Sequence, residues 1–377
     1  MYTLCMISTC FMTNTANKLI ISSHKKNRRY GKFLLFLVIV LFSLLAYFRD
    51  YTIGTDISYY VIPAFQEAKR HSFFAYFYLI SHLIEPIYLL FNYLFAAVCE
   101  TPRIWMFMIE FIISSLVVLR LYDYRYDRKM WVGIFIFNCM FLPISFNLMR
   151  QSIAMAIIFY ASRYILSEKK QIVKYIIIII ISMGFHLTGI IGMLLPALNI
   201  YYNKVYLGKN NKKLDSFIKT GLIIFVMILS VIFFNQLVDL VVPISKFTVK
   251  YSGYVVKSSG GIQVNPLLVR IPFIILILIN WKKYERDKNE NYMLFVIMII
   301  DMIMSELRIY SSTLYRVSIY FAYFKILALP NYLVSLNIKK RRLATGLIIV
   351  LMYIIWIYQI VIQGNEQVFP YKTFFDI

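Results

Sequence analysis

Long apolar runs recur along the chain from Phe33 to Ile362 and constrain its fold more than any other feature. Runs of about 18 residues or more can cross a hydrocarbon core of roughly 30 Å. Backbone groups in lipid must bond internally, so these runs should be α-helices. The sequence therefore predicts an all-α, polytopic membrane protein with about eleven transmembrane helices. The runs lie at residues 31–48, 104–121, 130–147, 148–166, 172–185, 187–202, 217–241, 267–281, 292–307, 312–333 and 343–362.

Composition agrees with this class and argues against soluble domains. Of the 377 residues, 60% are hydrophobic and 15% are charged, whereas soluble chains are about 25% charged. The net charge of +22 would suggest nucleic acid in a soluble protein. Here most of the excess lies in short loops, as the positive-inside rule requires, so no nucleic-acid partner is expected. Residues 1–30 are predicted to be a poorly ordered cytoplasmic leader, and residues 31–377 a single multi-helix membrane domain.

Six basic clusters indicate the orientation. One arrangement places all six in the cytoplasm, with the N-terminus also cytoplasmic. It requires residues 73–98 to be a re-entrant or bent helix pair, because Glu85 is costly at bilayer depth and Pro86 removes a backbone donor. It also makes residues 172–202 a hairpin with His186 at its tip; the alternative is one long helix there. The clusters are Lys25–Arg29, Arg125–Lys129, Lys169–Lys174, Lys204–Lys213, Lys282–Lys288 and Lys339–Arg342.

The same arrangement gathers polar residues on the extracytoplasmic side, with active-site loops at 49–103 and 243–266. An ionisable residue that interrupts an apolar run in a membrane is a functional-site hypothesis by default. Each also has a structural interpretation, such as a capped loop, a core histidine or an internal salt bridge. The histidines and cysteines show no metal-ligand spacing, so neither a metal nor a cofactor is predicted. The ionisable candidates are Arg49, Asp56, Glu85, Arg150, His186 and Arg316.

Several short motifs follow one another in a distinctive order. They are Gly54-Thr55-Asp56, Glu85-Pro86-Ile87-Tyr88-Leu89-Leu90-Phe91-Asn92, Arg150-Gln151-Ser152-Ile153-Ala154, Phe185-His186, Arg316 and Phe369-Pro370-Tyr371. In this order they resemble the EpsG-like branch of the Wzy-type polymerases of O-antigen, capsule and exopolysaccharide. The resemblance covers most of the chain from Tyr47 onward. That family often has a glycine after the Glu-Pro pair, where this chain has Ile87.

The resemblance implies a bacterial glycosyltransferase of the GT-C-like kind that needs no metal and lies in the cytoplasmic (inner) membrane. Such enzymes join oligosaccharide repeat units carried on undecaprenyl diphosphate. The reaction takes place on the outer face, among membrane lipid. A flippase and a chain-length regulator are the possible protein partners.

This function assigns roles to the candidate residues. Arg150, helped by Arg316 and Arg49, would stabilise the charge of the leaving diphosphate. Either His186 or Glu85 would orient or deprotonate the acceptor hydroxyl. The glycan would contact five polar or aromatic residues, Asp56, Tyr59, Tyr60, Asn92 and Gln151.

Three other functions remain open on the sequence alone. An O-antigen ligase shares the architecture and the lipid substrate, and acceptor identity separates it from a polymerase. A lipid-linked oligosaccharide flippase or transporter usually has internal repeats, and none is visible here. A membrane acyltransferase could use His186 but does not call for several arginines.

Overall fold

Helices form almost everywhere that the apolar runs predict them. The computed structural model describes residues 1–127, 129–167, 170–201, 221, 264–287, 290–310 and 312–376. Within these residues the one β-type contact is an isolated antiparallel bridge between Arg49 and Thr373. The all-α class is thus confirmed. Apart from residue 221, the predicted run 217–241 lies outside the described residues, as do the loop residues 243–263 and the cluster Lys204–Lys213.

The helices are interrupted more often than the apolar runs suggest. The α-helices are α1 Tyr2–Ile21, α2 Lys25–Phe48, α3 Ile62–Arg70, α4 Phe73–Ile80, α5 Pro86–Val98, α6 Arg103–Tyr122, α7 Met130–Ile136, α8 Leu142–Asn147, α9 Met149–Ala161, α10 Arg163–Leu166, α11 Ile172–Phe185, α12 Leu194–Tyr201, α13 Val264–Leu268, α14 Ile271–Ile279, α15 Trp281–Asp287, α16 Glu290–Ser305, α17 Ser312–Ala322, α18 Lys325–Ser335 and α19 Ile338–Trp356. Wider π-helical turns occur at Ile57–Val61, Phe137–Phe141 and Ile357–Ile362, and tighter 3₁₀ turns at Arg125–Asp127, Leu187–Met193, Glu306–Ile309 and Asn365–Gln367.

Five helical stretches in the described residues are long and apolar enough to cross a membrane. They are Lys25–Phe48, Arg103–Tyr122, Met130–Asn147, Tyr315–Ser335 and Ile338–Ile362. Shorter apolar helices cover Pro86–Val98, Ile172–Phe185, Leu187–Ile200 and Val264–Ile279. The predicted run 148–166 contains only the 13-residue helix α9 and the four-residue α10. The count of about eleven spans therefore stays a prediction.

The chain divides into two compact units. The first contains Met1–Met193 and Leu329–Ile377, and the second contains Leu194–Ala328. The single membrane domain predicted for residues 31–377 therefore stays a prediction. Most of the predicted site residues belong to the first unit.

The first unit begins with a helix that the sequence analysis did not predict. Residues 1–30 were expected to be a poorly ordered leader, and this is wrong, because α1 packs along α2. Its hydroxyls bond within the helix: Thr9 Oγ1 donates to the Cys5 carbonyl at 2.6 Å and Thr13 Oγ1 to the Thr9 carbonyl at 2.7 Å. Side chains that bond their own backbone in this way can be buried without an unpaired donor.

Contacts within the first unit define two opposite ends. One end holds the pairs Tyr2–Val368, Thr55–Asn147, Arg150–Glu85 and Leu187–Glu85. The other holds Asn17–Arg125, Arg120–Ser162 and Arg163–Asp123. The clusters around Lys25–Arg29, Arg125, Lys174 and Lys339–Arg342 all adjoin this second end, which we call the basic end. We call the first the polar end.

Helix α1 places Tyr2 at the polar end, opposite the cluster Lys25–Arg29. The Tyr2 hydroxyl donates to the Val368 carbonyl at 2.9 Å, and its ring packs edge-on against Tyr371. The sequence predicts a cytoplasmic N-terminus. Because the last apolar run follows the cytoplasmic cluster Lys339–Arg342, the sequence also predicts that the segment after Gln363 lies outside. These two expectations cannot both be right, because the Tyr2 hydroxyl is hydrogen-bonded to the Val368 carbonyl. The structure therefore places the two termini of the first unit at the same end, and which side of the membrane this end faces stays a prediction.

Two predicted helix breaks are present. Helix α4 ends at Ile80 and α5 begins at Pro86, so residues 73–98 form a broken helix pair as the proline predicts. Helix α11 ends at Phe185, and the chain folds back so that the Tyr175 hydroxyl donates to the Gly192 carbonyl at 2.7 Å. The hairpin is therefore confirmed as far as Gly192, and one long helix across this region is excluded.

The second unit has a charged centre of its own. Arg270 Nε donates to Asp301 Oδ1 at 2.9 Å, and Lys325 Nζ contacts the other carboxylate oxygen. All three side chains are buried. A buried carboxylate shared by two cations ties α16 to α18 and to the residue before α14, because breaking either pair would leave a buried charge uncompensated.

Candidate functional site

A tight reversal between two helices presents Arg150 at the polar end. Helix α8 ends at Asn147, Leu148 leaves helical geometry with φ −95° and ψ 57°, and α9 begins at Met149. Helix α9 then runs back toward the basic end, where Ser162 accepts from Arg120 Nε at 3.1 Å. The break between the predicted runs 130–147 and 148–166 is therefore present. It places the guanidinium within the first turn of α9.

The break before Pro86 brings Glu85 to Arg150. Arg150 Nη1 lies 2.7 Å from Glu85 Oε2. The two side chains are 12% and 19% exposed, so the pair sits at the edge of the interior rather than in bulk solvent. A partly desolvated ion pair of this kind is stronger than a surface salt bridge.

Aromatic rings surround the Arg150 guanidinium. Its central carbon lies 4.7 Å from the ring centroid of Tyr60 and 6.0 Å from that of Tyr88. Tyr60 comes from the π-helical turn Ile57–Val61, a wider turn of the kind that often occurs at functional sites. Arg150 Nε is buried and has no hydrogen-bond partner among the described residues.

The tip of the α11 hairpin completes this group. Glu85 Oε1 accepts from the Leu187 backbone N–H at 3.1 Å, which holds the tip against Arg150. His186 is half-buried there, with Nδ1 2.6 Å from Thr188 Oγ1. Gly184 lies directly against the side chain of Ile87, since a Cβ at 184 would clash with it. Gly184 on the neighbouring hairpin thus leaves room for Ile87, which stands where the family often has a glycine.

Arg49 lies close to this group but is enclosed by protein. Its side chain is 1% exposed. Its Nη1 donates to the Phe146 carbonyl at 2.6 Å, and the guanidinium stacks on the Phe146 ring at 4.4 Å. Burial lowers the pKa of Arg49 to about 10. The structure therefore gives Arg49 a bracing role at the end of α8, and direct contact with a diphosphate stays a prediction.

The predicted glycan contacts divide into two kinds. Tyr60 lies on Arg150, and the neighbouring Tyr59 is 73% exposed. Asp56 is half-buried and begins the turn that carries both tyrosines. By contrast Asn92 is fully buried and donates to the Tyr76 hydroxyl at 2.9 Å, and Gln151 is buried in α9. Asn92 therefore belongs to the packing between α4 and α5 rather than to the surface of the site.

Arg316 lies in the second unit. It is half-buried in α17. Its contribution to the same site as Arg150 stays a prediction.

Three polar residues of the polar end were missed by the sequence analysis. Glu110 is buried in α6, where its Oε2 accepts from Ser145 Oγ at 2.7 Å. Its position as a carboxylate inside the apolar run 104–121 is the sequence signal that could have identified it. Asn147 and Glu366 hydrogen-bond to each other at 2.7 Å. Nothing in the sequence links those two positions.

The arrangement can bind an anion beside a proton acceptor. Arg150 offers guanidinium donors, and Glu85 fixes their direction. The imidazole of His186, next in the chain to the Leu187 amide that binds Glu85, is a candidate base. Because both oxygens of Glu85 already accept hydrogen bonds, Glu85 is better suited to positioning than to proton transfer.

The five long apolar helices, with polar residues gathered at one end of the first unit, define an integral membrane protein. Residues 32–373 match the EpsG family, which is nearly the whole chain. The chain therefore belongs to the EpsG family, a Wzy-like polymerase family. No curated protein and no solved structure shows significant similarity to it.

Proposed function

We propose that this protein polymerises oligosaccharide repeat units carried on undecaprenyl diphosphate, at the extracytoplasmic face of the bacterial cytoplasmic membrane. The observation that carries the proposal is the Arg150–Glu85 pair beside the His186 hairpin tip. Family membership supports the class of reaction. The gathering of basic clusters at the opposite end supports the outward placement of the site.

The reaction exchanges one bond for another. The anomeric carbon of the growing glycan leaves its diphosphate oxygen and bonds to a hydroxyl oxygen of an incoming lipid-linked repeat unit. The hydroxyl proton passes to His186. The lipid diphosphate departs with the additional negative charge.

Each residue has one task in this scheme. Arg150 stabilises the charge that develops on the diphosphate, and a preorganised donor of this kind contributes on the order of 10²-fold or more in rate. Glu85 holds Arg150 and the hairpin tip together. In this scheme the neutral imidazole of His186 carries its hydrogen on Nδ1, which lies 2.6 Å from Thr188 Oγ1, and Nε2 accepts the proton.

The test uses purified protein in liposomes with lipid diphosphate-linked repeat units, and glycan length is measured by gel. We expect Arg150→Ala to reduce polymer formation by about 10²-fold or more. The matched control is Arg163→Ala, which also removes an arginine from an ion pair, with Asp123, but at the basic end. It should polymerise normally.

Other outcomes would identify a different function. Addition of one preformed glycan to an acceptor that is not a repeat unit would indicate a ligase. Movement of the lipid-linked unit across the bilayer without a new bond would indicate a transporter. Normal chain lengths in Arg150→Ala would overturn the proposed site.

A further inference from the structure

The side chain of Asn147 bridges two segments that are far apart in the chain. Its Oδ1 accepts from the Thr55 backbone N–H at 2.9 Å and from Thr55 Oγ1 at 2.7 Å. Its Nδ2 donates to Glu366 Oε2 at 2.7 Å. One amide therefore connects the loop after α2 with the 3₁₀ turn Asn365–Gln367.

The backbone around this bridge adopts an uncommon conformation. Glu366 and Gln367 have φ values of 66° and 52°, in the left-handed region. Residues other than glycine seldom occur there, and each costs on the order of 1–3 kcal/mol unless its surroundings hold it. The Gln367 carbonyl in turn accepts from the N–H of Gly54, which has φ 86°. The strained turn is thus held against the residue that precedes Thr55.

The two segments joined by Asn147 lead directly to the site. Thr55 lies at the start of the turn that carries Tyr60, and Asn147 lies three positions before Arg150. Tyr60 and Arg150 then meet in the 4.7 Å stacking contact. The short segments 55–60 and 147–150 are therefore joined at one end by the Asn147 bridge and at the other end by the contact between Tyr60 and Arg150.

We propose that Glu366 is a positioning residue, which acts through Asn147 to hold Tyr60 and Arg150 in register for glycosyl transfer. The inference rests on the proposed function for its role in the reaction. It adds a residue from the segment after α19, which touches neither the diphosphate nor the acceptor in this scheme.

A reversal of the hydrogen bond tests the bridge. In Asn147→Asp the carboxylate still accepts from Thr55 but has no hydrogen to donate, and it faces the carboxylate of Glu366. We expect polymerisation to fall by roughly 10- to 10²-fold, because small displacements of a positioned group cost that much. Adding Glu366→Gln gives a double variant in which the new amide donates to the new carboxylate. It should recover most of the loss, and Glu366→Gln alone should stay close to wild type, since the glutamine carbonyl can accept from Asn147.

A matched control separates charge from geometry. Like Asn147→Asp, Gln367→Glu adds one negative charge, but it does so next to Glu366 in the chain and on an exposed side chain. It should polymerise normally. Wild-type rates in Asn147→Asp, or a double variant as impaired as the single one, would overturn the proposal.

Amide hydrogen exchange provides a readout that does not need the reaction. The peptide Ile53–Ile57 contains the Thr55 amide, and its exchange should accelerate in Asn147→Asp and return toward wild type in the double variant. If the wild-type protein makes no polymer but exchange follows this pattern, the proposed function fails and the bridge stands. If the wild type polymerises and neither exchange nor activity responds to the pair, the bridge fails alone.

Discussion

Arg150 Nη1 and Glu85 Oε2 lie 2.7 Å apart, and this ion pair joins the reversal at Leu148 to the break before Pro86. Each group occupies a place that would be costly for it alone, because a half-buried charge needs a partner. The pair also reaches the α11 hairpin, since the other oxygen of Glu85 accepts from Leu187. Three helix breaks thus meet at one carboxylate.

Glu85→Gln should lower polymerisation by roughly 10-fold, because a hydrogen bond to a charged group contributes about 1.5–3 kcal/mol and the amide retains part of it. Glu85→Ala, which removes both carboxylate oxygens that accept from Leu187 and Arg150, should lower it further. Initial rates in liposomes measure both. If Glu85→Gln is as inactive as Glu85→Ala, the carboxylate acts as the base.

Tyr60→Leu should reduce the rate by roughly 2- to 30-fold, because it removes a cation–π contact of about 0.5–2 kcal/mol with Arg150. Tyr60→Phe keeps the ring and should stay near wild type. The control is Tyr126→Leu, which removes an exposed tyrosine that lies on Arg125 at the basic end and should leave the rate unchanged. Equal rates for Tyr60→Leu and Tyr60→Phe would show that the ring does not orient the guanidinium.

Thr188→Val should impair the reaction, because it removes the hydroxyl that contacts His186 Nδ1. Thr188→Ser retains the hydroxyl and should retain most of the rate. The loss of one hydrogen bond is worth about 0.5–1.5 kcal/mol, or roughly 2- to 10-fold. A valine variant with wild-type turnover would argue against His186 as the positioned base.

Arg49→Met should destabilise the protein, because the buried carbonyl of Phe146 loses its donor. An unpaired buried acceptor costs about 1–3 kcal/mol. The thermal unfolding midpoint in detergent micelles measures this, with Arg28→Met, an exposed arginine at the basic end, as control. An unchanged midpoint together with lost diphosphate binding would instead make Arg49 a ligand contact.

Single cysteines should show that the two ends of the first unit face opposite sides of the membrane. In a variant whose four native cysteines are replaced by serine, Gln367→Cys should react with an impermeant maleimide added to intact cells. Lys26→Cys should react only after permeabilisation. Both side chains are exposed. Labelling of both in intact cells would contradict the orientation.

Two helix breaks were predictable from the sequence because their cause is local. Pro86 lacks a backbone donor, and a carboxylate just before it is costly in an apolar run. His186 divides residues 172–202 into two apolar arms, and each arm is too short to cross the bilayer by itself. In both places the chemistry of one or two residues decides where the helix ends.

Other features depend on contacts between distant segments and could not be read locally. Residues 1–30 are predicted to be a poorly ordered leader, yet Tyr2 donates to the Val368 carbonyl and Asn17 donates to the Arg125 carbonyl, and these bonds hold both ends of α1. Arg49 is predicted to contact the diphosphate, and its bond to the Phe146 carbonyl, which gives it a bracing role, is not visible in the sequence. The three carbonyl acceptors of these bonds lie between 97 and 366 positions from their donors in the chain.

The bond between Asn147 and Glu366 spans 219 positions of sequence. The bond between Tyr2 and Val368 spans 366 positions. On the ribosome, a nascent chain would already carry Arg150, Glu85 and His186 while both of these bonds were missing. Assembly of the polar end therefore finishes only after the chain has been synthesised past α19, so the proposed activity would begin only when the last helix is in place.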